Sequence, residues 1–209
     1  MTYRHFGKAA MNPAIIKIIS LMPPPLRPPA GQTPWVDIEY AMGVPLPEDY
    51  REFIDTYGDG RINQSLSVFF PARLSALRPS LAVLSDNTAS LHALGFFDEF
   101  RGNPEFATAV GEPNALLLWG QTRRGDLLFW STRDENPDHW TVTVFFHTTD
   151  RGDHWHHYDQ GMAEFLSVIA DRSIPESGEL LGTTAGRPEW TRVRDWECNS
   201  HPPSPAFHS

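Results

Sequence analysis

The densest concentration of chemically capable side chains lies between residues 147 and 159, which hold His147, Asp150, Asp153, His154, His156, His157 and Asp159. Imidazole and carboxylate donors suit zinc or nickel, and on a strand His154 and His156 would share one face. The run has no HExxH or comparable ligand spacing. It therefore reads as a polar strand end, and neither a metal nor a cofactor is expected. Cys198 is the single cysteine and lies in a polar C-terminal stretch, with no electropositive neighbourhood to make it a nucleophile. No GxSxG string occurs, and Gly58, Gly60, Gly120 and Gly125 form neither GxGxxG nor a Walker loop. Nucleophile, base and orienting group cannot be named together, so the chain is expected not to be an enzyme; a His/Asp metal-dependent hydrolase is the catalytic alternative.

Charge is the remaining chemical signal. Residues 1–34 carry Arg4, Lys8, Lys17 and Arg27 and no acid, so a chain of net charge -9 leaves -13 on its other 175 residues. A body this acidic disfavours nucleic-acid binding, which needs Lys and Arg against phosphate, and favours a basic protein partner or simple solubility. Two segments concentrate the acids. Residues 35–60 hold seven acids against Arg51, and residues 126–164 hold eight against Arg133 and Arg151, so each stands at -6.

The elements that must carry these segments follow from periodicity. Residues 14–22 form a short helix, and six prolines between Pro23 and Pro34 stop it and stiffen the lead-in. Met11 is an alternative start. Trp35, Ile38 and Met42 make a stripe closed by Gly43, and Leu46, Tyr50, Phe53 and Tyr57 make a second stripe opened by Pro47 and stopped by Gly58-Asp59-Gly60. The period then changes to two at Leu66, Val68 and Phe70. A helix is predicted over 85–107. Strands are predicted over 115–119 and 127–130, joined as a hairpin bent at Gly125, and over 141–146 with Val142, Val144 and Phe146 inward and Thr141, Thr143 and Phe145 facing away. A fourth strand begins near Trp155, and Met162, Phe165, Leu166 and Ile169 define a closing helix.

This order is an α+β domain whose twisted, mainly antiparallel or mixed sheet packs against helices. The expected division is a basic, proline-rich extension over 1–33, a domain over 34–174 and a tail over 175–209, which holds Trp190 and Trp196 among Gly, Pro and polar residues. With 40% apolar and 12% aromatic residues the chain has material for one large core. One unpaired cysteine and no long apolar run point to a cytoplasmic protein.

Several strings in this order resemble the SUKH superfamily, the SMI/KNR-like domains. They are Trp35-x-x-Ile-Glu39, Leu46-Pro-Glu-Asp-Tyr-Arg-Glu-Phe53 after Gly43, Tyr57-Gly-Asp-Gly60, Trp119-Gly-x-Thr-x-x-Gly-Asp126, Trp130, Trp140, Trp155-x-x-Tyr158 and Phe165-Leu166. The resemblance covers roughly residues 22–172. It implies a protein-binding module, similar in bacteria to immunity proteins that neutralise polymorphic toxins, often nucleases, and in fungi to regulators of cell-wall synthesis. On that footing the acidic segments become candidate faces for a basic toxin domain. The loops and strand ends between Asp126 and Asp159 are favoured, with Asp126, Arg133, Asp134, Glu135, Asp138, Asp153 and His154 as polar contacts. Phe145 and the edges of Trp140 and Trp155 are the expected apolar anchors. The alternative role is a regulatory scaffold.

Overall fold

The computed structural model describes residues 10–26, 33–70, 116–148, 153–183 and 186–192. Helix α1 (Pro13–Leu21) starts where Asn12 Oδ1 accepts the Ala14 amide at 2.8 Å and Pro13 occupies the first turn. Its apolar stripe, Ile15 and Ile18 with Met22 just beyond, is fully buried. The helix of the lead-in thus packs within the main core.

Helix α2 (Trp35–Met42) ends at Gly43, whose φ of 72° lets its amide turn back to the Glu39 and Tyr40 carbonyls. Helix α3 (Glu48–Tyr57) follows Pro47 and buries Tyr50, Phe53, Ile54 and Tyr57. The two helices form an antiparallel pair, with Trp35 Nε1 donating to the Asp55 carboxylate at 3.1 Å and Arg51 Nη1 lying 3.5 Å from Glu39 Oε1. The tyrosines on α3 bury their hydroxyls only because each finds an acceptor: Tyr50 donates to the Phe69 carbonyl and Tyr57 to the Met22 carbonyl, both at 2.6 Å.

The strands are β1 (Gly60–Ile62), β2 (Leu66–Val68), β3 (Leu116–Thr122), β4 (Leu127–Ser131), β5 (Thr141–Phe145), β6 (Trp155–Tyr158) and β7 (Trp190–Arg192). They form one sheet in the order β6-β5-β4-β3-β2-β1-β7, antiparallel throughout. Gly125, at φ 95°, makes the predicted bend between β3 and β4. Register shifts there between Leu118 and Gly120, an irregularity of the bulge type at Trp119.

Helices α4 (Met162–Ala170) and α5 (Ser177–Leu181) follow β6. The face of the sheet carrying Leu117, Trp119, Leu128, Trp130, Val142, Val144 and Phe146 shares one core with the helices, including Ile15, Tyr50, Phe53, Phe165 and Leu166. The opposite face was expected to point away from the core. It carries a second buried cluster instead, made of Leu116, Leu118, Leu127, Phe129, Phe145 and Trp155, and Thr143 between them is fully buried.

The segment 175–192, expected to be tail, supplies α5 and β7. Trp190 is buried against Phe53 and Tyr57, with its Nε1 donating to the Tyr57 carbonyl at 3.0 Å. A lone Trp in polar text has no periodicity to reveal it; its place is set by β1, against which β7 pairs. The helix expected over 85–107 lies outside the described residues.

Candidate partner-binding face

Three helices begin around one cleft. It has a volume of about 660 Å3 and is bordered by Asn12 and Lys17 of the α1 region, Glu48 and Asp49 of α3, Asp138, and Glu164 of α4. Each helix start carries orphan amides and the positive end of the helix dipole, and each is met by a carboxylate from another element. Glu52 Oε2 accepts the Asn12 amide at 2.9 Å, Asp138 Oδ1 accepts the Glu48 amide at 2.6 Å, and Asp49 Oδ2 accepts the Ala163 amide at 2.8 Å. Neither Pro47 nor Gly161 has a side chain to cap its own helix, so the acids that α3 and the 137–139 turn contribute do so across the fold.

Burial holds the Asp49 carboxyl above its ordinary range; the amides of Ala163 and Tyr50 oppose the shift, while Asp138 and Glu52 reinforce it. Lys17 is engaged by Asp171 at 3.0 Å. The exposed carboxylates of Glu48 and Glu164 have no hydrogen-bond or ion-pair partner among the described residues. The cleft is therefore acidic at its rim, while Asp49, Asp138 and Glu52 serve as caps.

Beside the cleft runs the loop from Thr132 to Trp140. The carboxylate of Asp134 accepts the Asn136 amide at 2.8 Å and lies 3.2 Å from His139 Nδ1. These hydrogen bonds, the Asn136 amide first, hold its carboxyl below the ordinary range. Asn136 caps the 3-10 turn Pro137–His139 by accepting the Asp138 amide at 3.1 Å, and Trp140 Nε1 donates to the Asp134 carbonyl at 2.7 Å. Arg133, Asp134, Glu135 and Asp138 are exposed on this braced loop.

The other residues singled out from sequence are placed differently. Asp126 is 2% exposed. Its two oxygens accept from Thr122 Oγ1 at 2.6 Å and from the His147 amide at 3.0 Å, tying the β3–β4 hairpin to the end of β5. Phe145, Trp140 and Trp155 are 8%, 5% and 9% exposed, which corrects their expected role as exposed anchors. Trp140 packs on Trp130, and Phe145 on Trp155. The alternation that turns Phe145 from the first core turns it into the second.

Asp153 is exposed and accepts the Trp155 amide at 3.0 Å. His154 stacks on Phe145 and donates through Nδ1 to the Phe146 carbonyl at 2.6 Å, whereas the His156 ring meets Phe146 and lies 3.8 Å from Glu176. Phe145 and Phe146 belong to opposite faces of the sheet, so these two histidines do not share one. His157 Nδ1 is hydrogen-bonded to Thr143 Oγ1 at 3.0 Å. Among the described residues no three His, Cys, Asp or Glu side chains come together as a metal site, and no helix is long and apolar enough to cross a membrane.

The acids of the cleft were visible in sequence only as parts of two acidic segments. Pro47-Glu48-Asp49 marks a helix start, but nothing local brings Glu164 beside it.

No curated protein and no solved structure matches the chain. The family described as SMI1-KNR4 cell-wall, SUKH_6, matches residues 32–166, a span that begins just before α2 and ends within α4. That span includes the α2–α3 pair, β1 to β6 and the acids at the cleft, so the chain belongs to the SUKH_6, or SMI1-KNR4, family.

Proposed function

We propose that this chain is a cytoplasmic immunity-type protein that binds and occludes a basic toxin domain, acting by binding and not by catalysis. The observation that carries the reading is the acidic rim where Glu48 and Glu164 have no partner among the described residues, beside the exposed loop that carries Glu135. Backbone amides already hold the capping acids, so the rim carboxylates are the ones left to meet cationic side chains. Complementary potentials raise association rates, which suits a neutraliser that must arrive before damage is done.

Family membership supports the protein-binding role. The family's description also favours a second reading, a regulatory scaffold related to cell-wall synthesis. Pull-down from the native organism, followed by kinetics on the purified pair, tests both. A basic toxin domain inactivated on binding, with association that slows as salt rises, is the expected result. A housekeeping partner bound without loss of activity would establish the scaffold instead.

A further inference from the structure

We infer that the solvent face of α2, centred on Val36 and Tyr40 with Asp37 beside them, is the apolar anchor point for a basic protein partner. The inference rests on the reading that the chain binds such a partner, and it assigns where.

Helix α2 has a clear inside and outside. Ile38 is fully buried, and Trp35 and Glu39 face α3 through Asp55 and Arg51. One turn apart on the outer arc, Val36 and Tyr40 are 80% and 88% exposed. A helix face meant only for water would carry Ala, Glu or Lys, which are better helix formers than valine or tyrosine. Exposed apolar residues are ordinary when scattered, but here two large ones stand at i and i+4 and cover a common patch. Tyrosine is also among the residues most enriched at the energetic centres of interfaces. The aromatic residues expected to play that part, Trp140, Phe145 and Trp155, are buried in the fold.

Charge selects the occupant. Residues 35–60, which make up the α2–α3 pair and its flanks, stand at -6. Asp37 is exposed on the same outer arc and has no partner among the described residues. The pairings of Trp35 with Asp55 and of Glu39 with Arg51 direct the C-terminal end of α2 toward the first turn of α3, where Glu48 borders the acidic cleft. An apolar centre with an acidic surround fits an apolar side chain ringed by Lys or Arg. A second copy, itself at -9, or an anionic lipid surface would bring like charges together.

The test is a titration of the full 15N-labelled chain with an amphipathic lysine-leucine helical peptide, alongside the same peptide with acetylated lysines. The expected result is amide shifts centred on residues 36, 37 and 40, and binding weakened at least roughly tenfold by Val36→Ser with Tyr40→Ser. The charge-neutral peptide should bind much less tightly. Unchanged melting of the double variant completes the case, and Glu48→Gln with Glu164→Gln, which thins the acidic rim, should weaken binding less than the Val36/Tyr40 pair and leave the shifts centred on α2. Shifts centred on the cleft, with binding lost in the Glu48/Glu164 variant, would overturn the α2 assignment and leave the basic-partner reading standing. Equal binding of both peptides would overturn the charge argument. Binding of neither would overturn the assignment and the basic-partner reading together.

Discussion

The carboxylate of Asp49, in the first turn of α3, accepts the amide of Ala163 at 2.8 Å across 114 residues of sequence. One side chain thereby sits at the positive ends of two helices, its own and α4. Gly161, at the start of α4, leaves room for this approach: a Cβ there would stand 3.0 Å from Asp49 Oδ2.

That contact has a pH signature. Because burial raises the Asp49 pKa in the folded state, the folded protein binds more protons than the unfolded chain between the two pKa values. The stabilisation is then complete below the unfolded pKa and is lost as pH rises through the folded one. Asp49→Asn keeps an acceptor for Ala163 without the charge, so it should match or exceed wild-type stability at neutral pH, with the difference vanishing in acid. Asp49→Ala removes the cap and should cost ~1 kcal/mol. Urea unfolding of the three proteins as a function of pH measures this.

Gly60 faces β7 so closely that a Cβ would lie 2.5 Å from the Thr191 carbonyl oxygen and 2.7 Å from the Trp190 ring. Gly60→Ala should therefore force β7 outward and cost ~1–3 kcal/mol, as overpacking does. The Trp190 indole, now bonded to the Tyr57 carbonyl, should gain hydrogen-exchange rate by NMR.

Trp130 is fully buried, edge-on to Tyr50 with ring centroids 5.0 Å apart. Trp130→Ala should cost ~3–5 kcal/mol. The Nε1 of Trp130 has no hydrogen-bond partner among the described residues, so Trp130→Phe loses volume but also removes an orphan donor and should cost clearly less. Equal losses in thermal melts would show the indole N–H to be satisfied.

The loop acids separate into steering and structural groups. Glu135→Lys should slow association with a basic partner and flatten its salt dependence while changing dissociation little, whereas Asp134→Lys would also release the Asn136 amide and His139 and loosen the loop. Asp138→Ala should in addition destabilise the fold by ~1 kcal/mol, because it uncaps α3 at Glu48. Stopped-flow association at low and high salt, with parallel unfolding curves, distinguishes the two.

Local sequence determined the pieces whose pattern repeats within a turn or two. Tyr50, Phe53 and Tyr57, Val142 and Val144, and Phe165 and Ile169 announce their elements because a single element of fixed period places them all on one buried face. The acidity of the chain and the α+β order were legible for the same reason, being sums and sequences of local signals. Contacts made at long range were not. Alternation places Phe145 opposite Val144, but only the assembled sheet decides that this second face is buried. Trp190 reads as an isolated aromatic until β1 offers it an edge and Tyr57 a carbonyl. The cleft is the fullest case. Glu48 and Asp138 are 90 residues apart and Asp49 and Ala163 are 114 apart, and helix starts and carboxylates meet there because packing brings their elements together. Which acids are caps and which remain free for a partner is a property of that packing, since an amide and a carboxylate recognise each other only at hydrogen-bond distance.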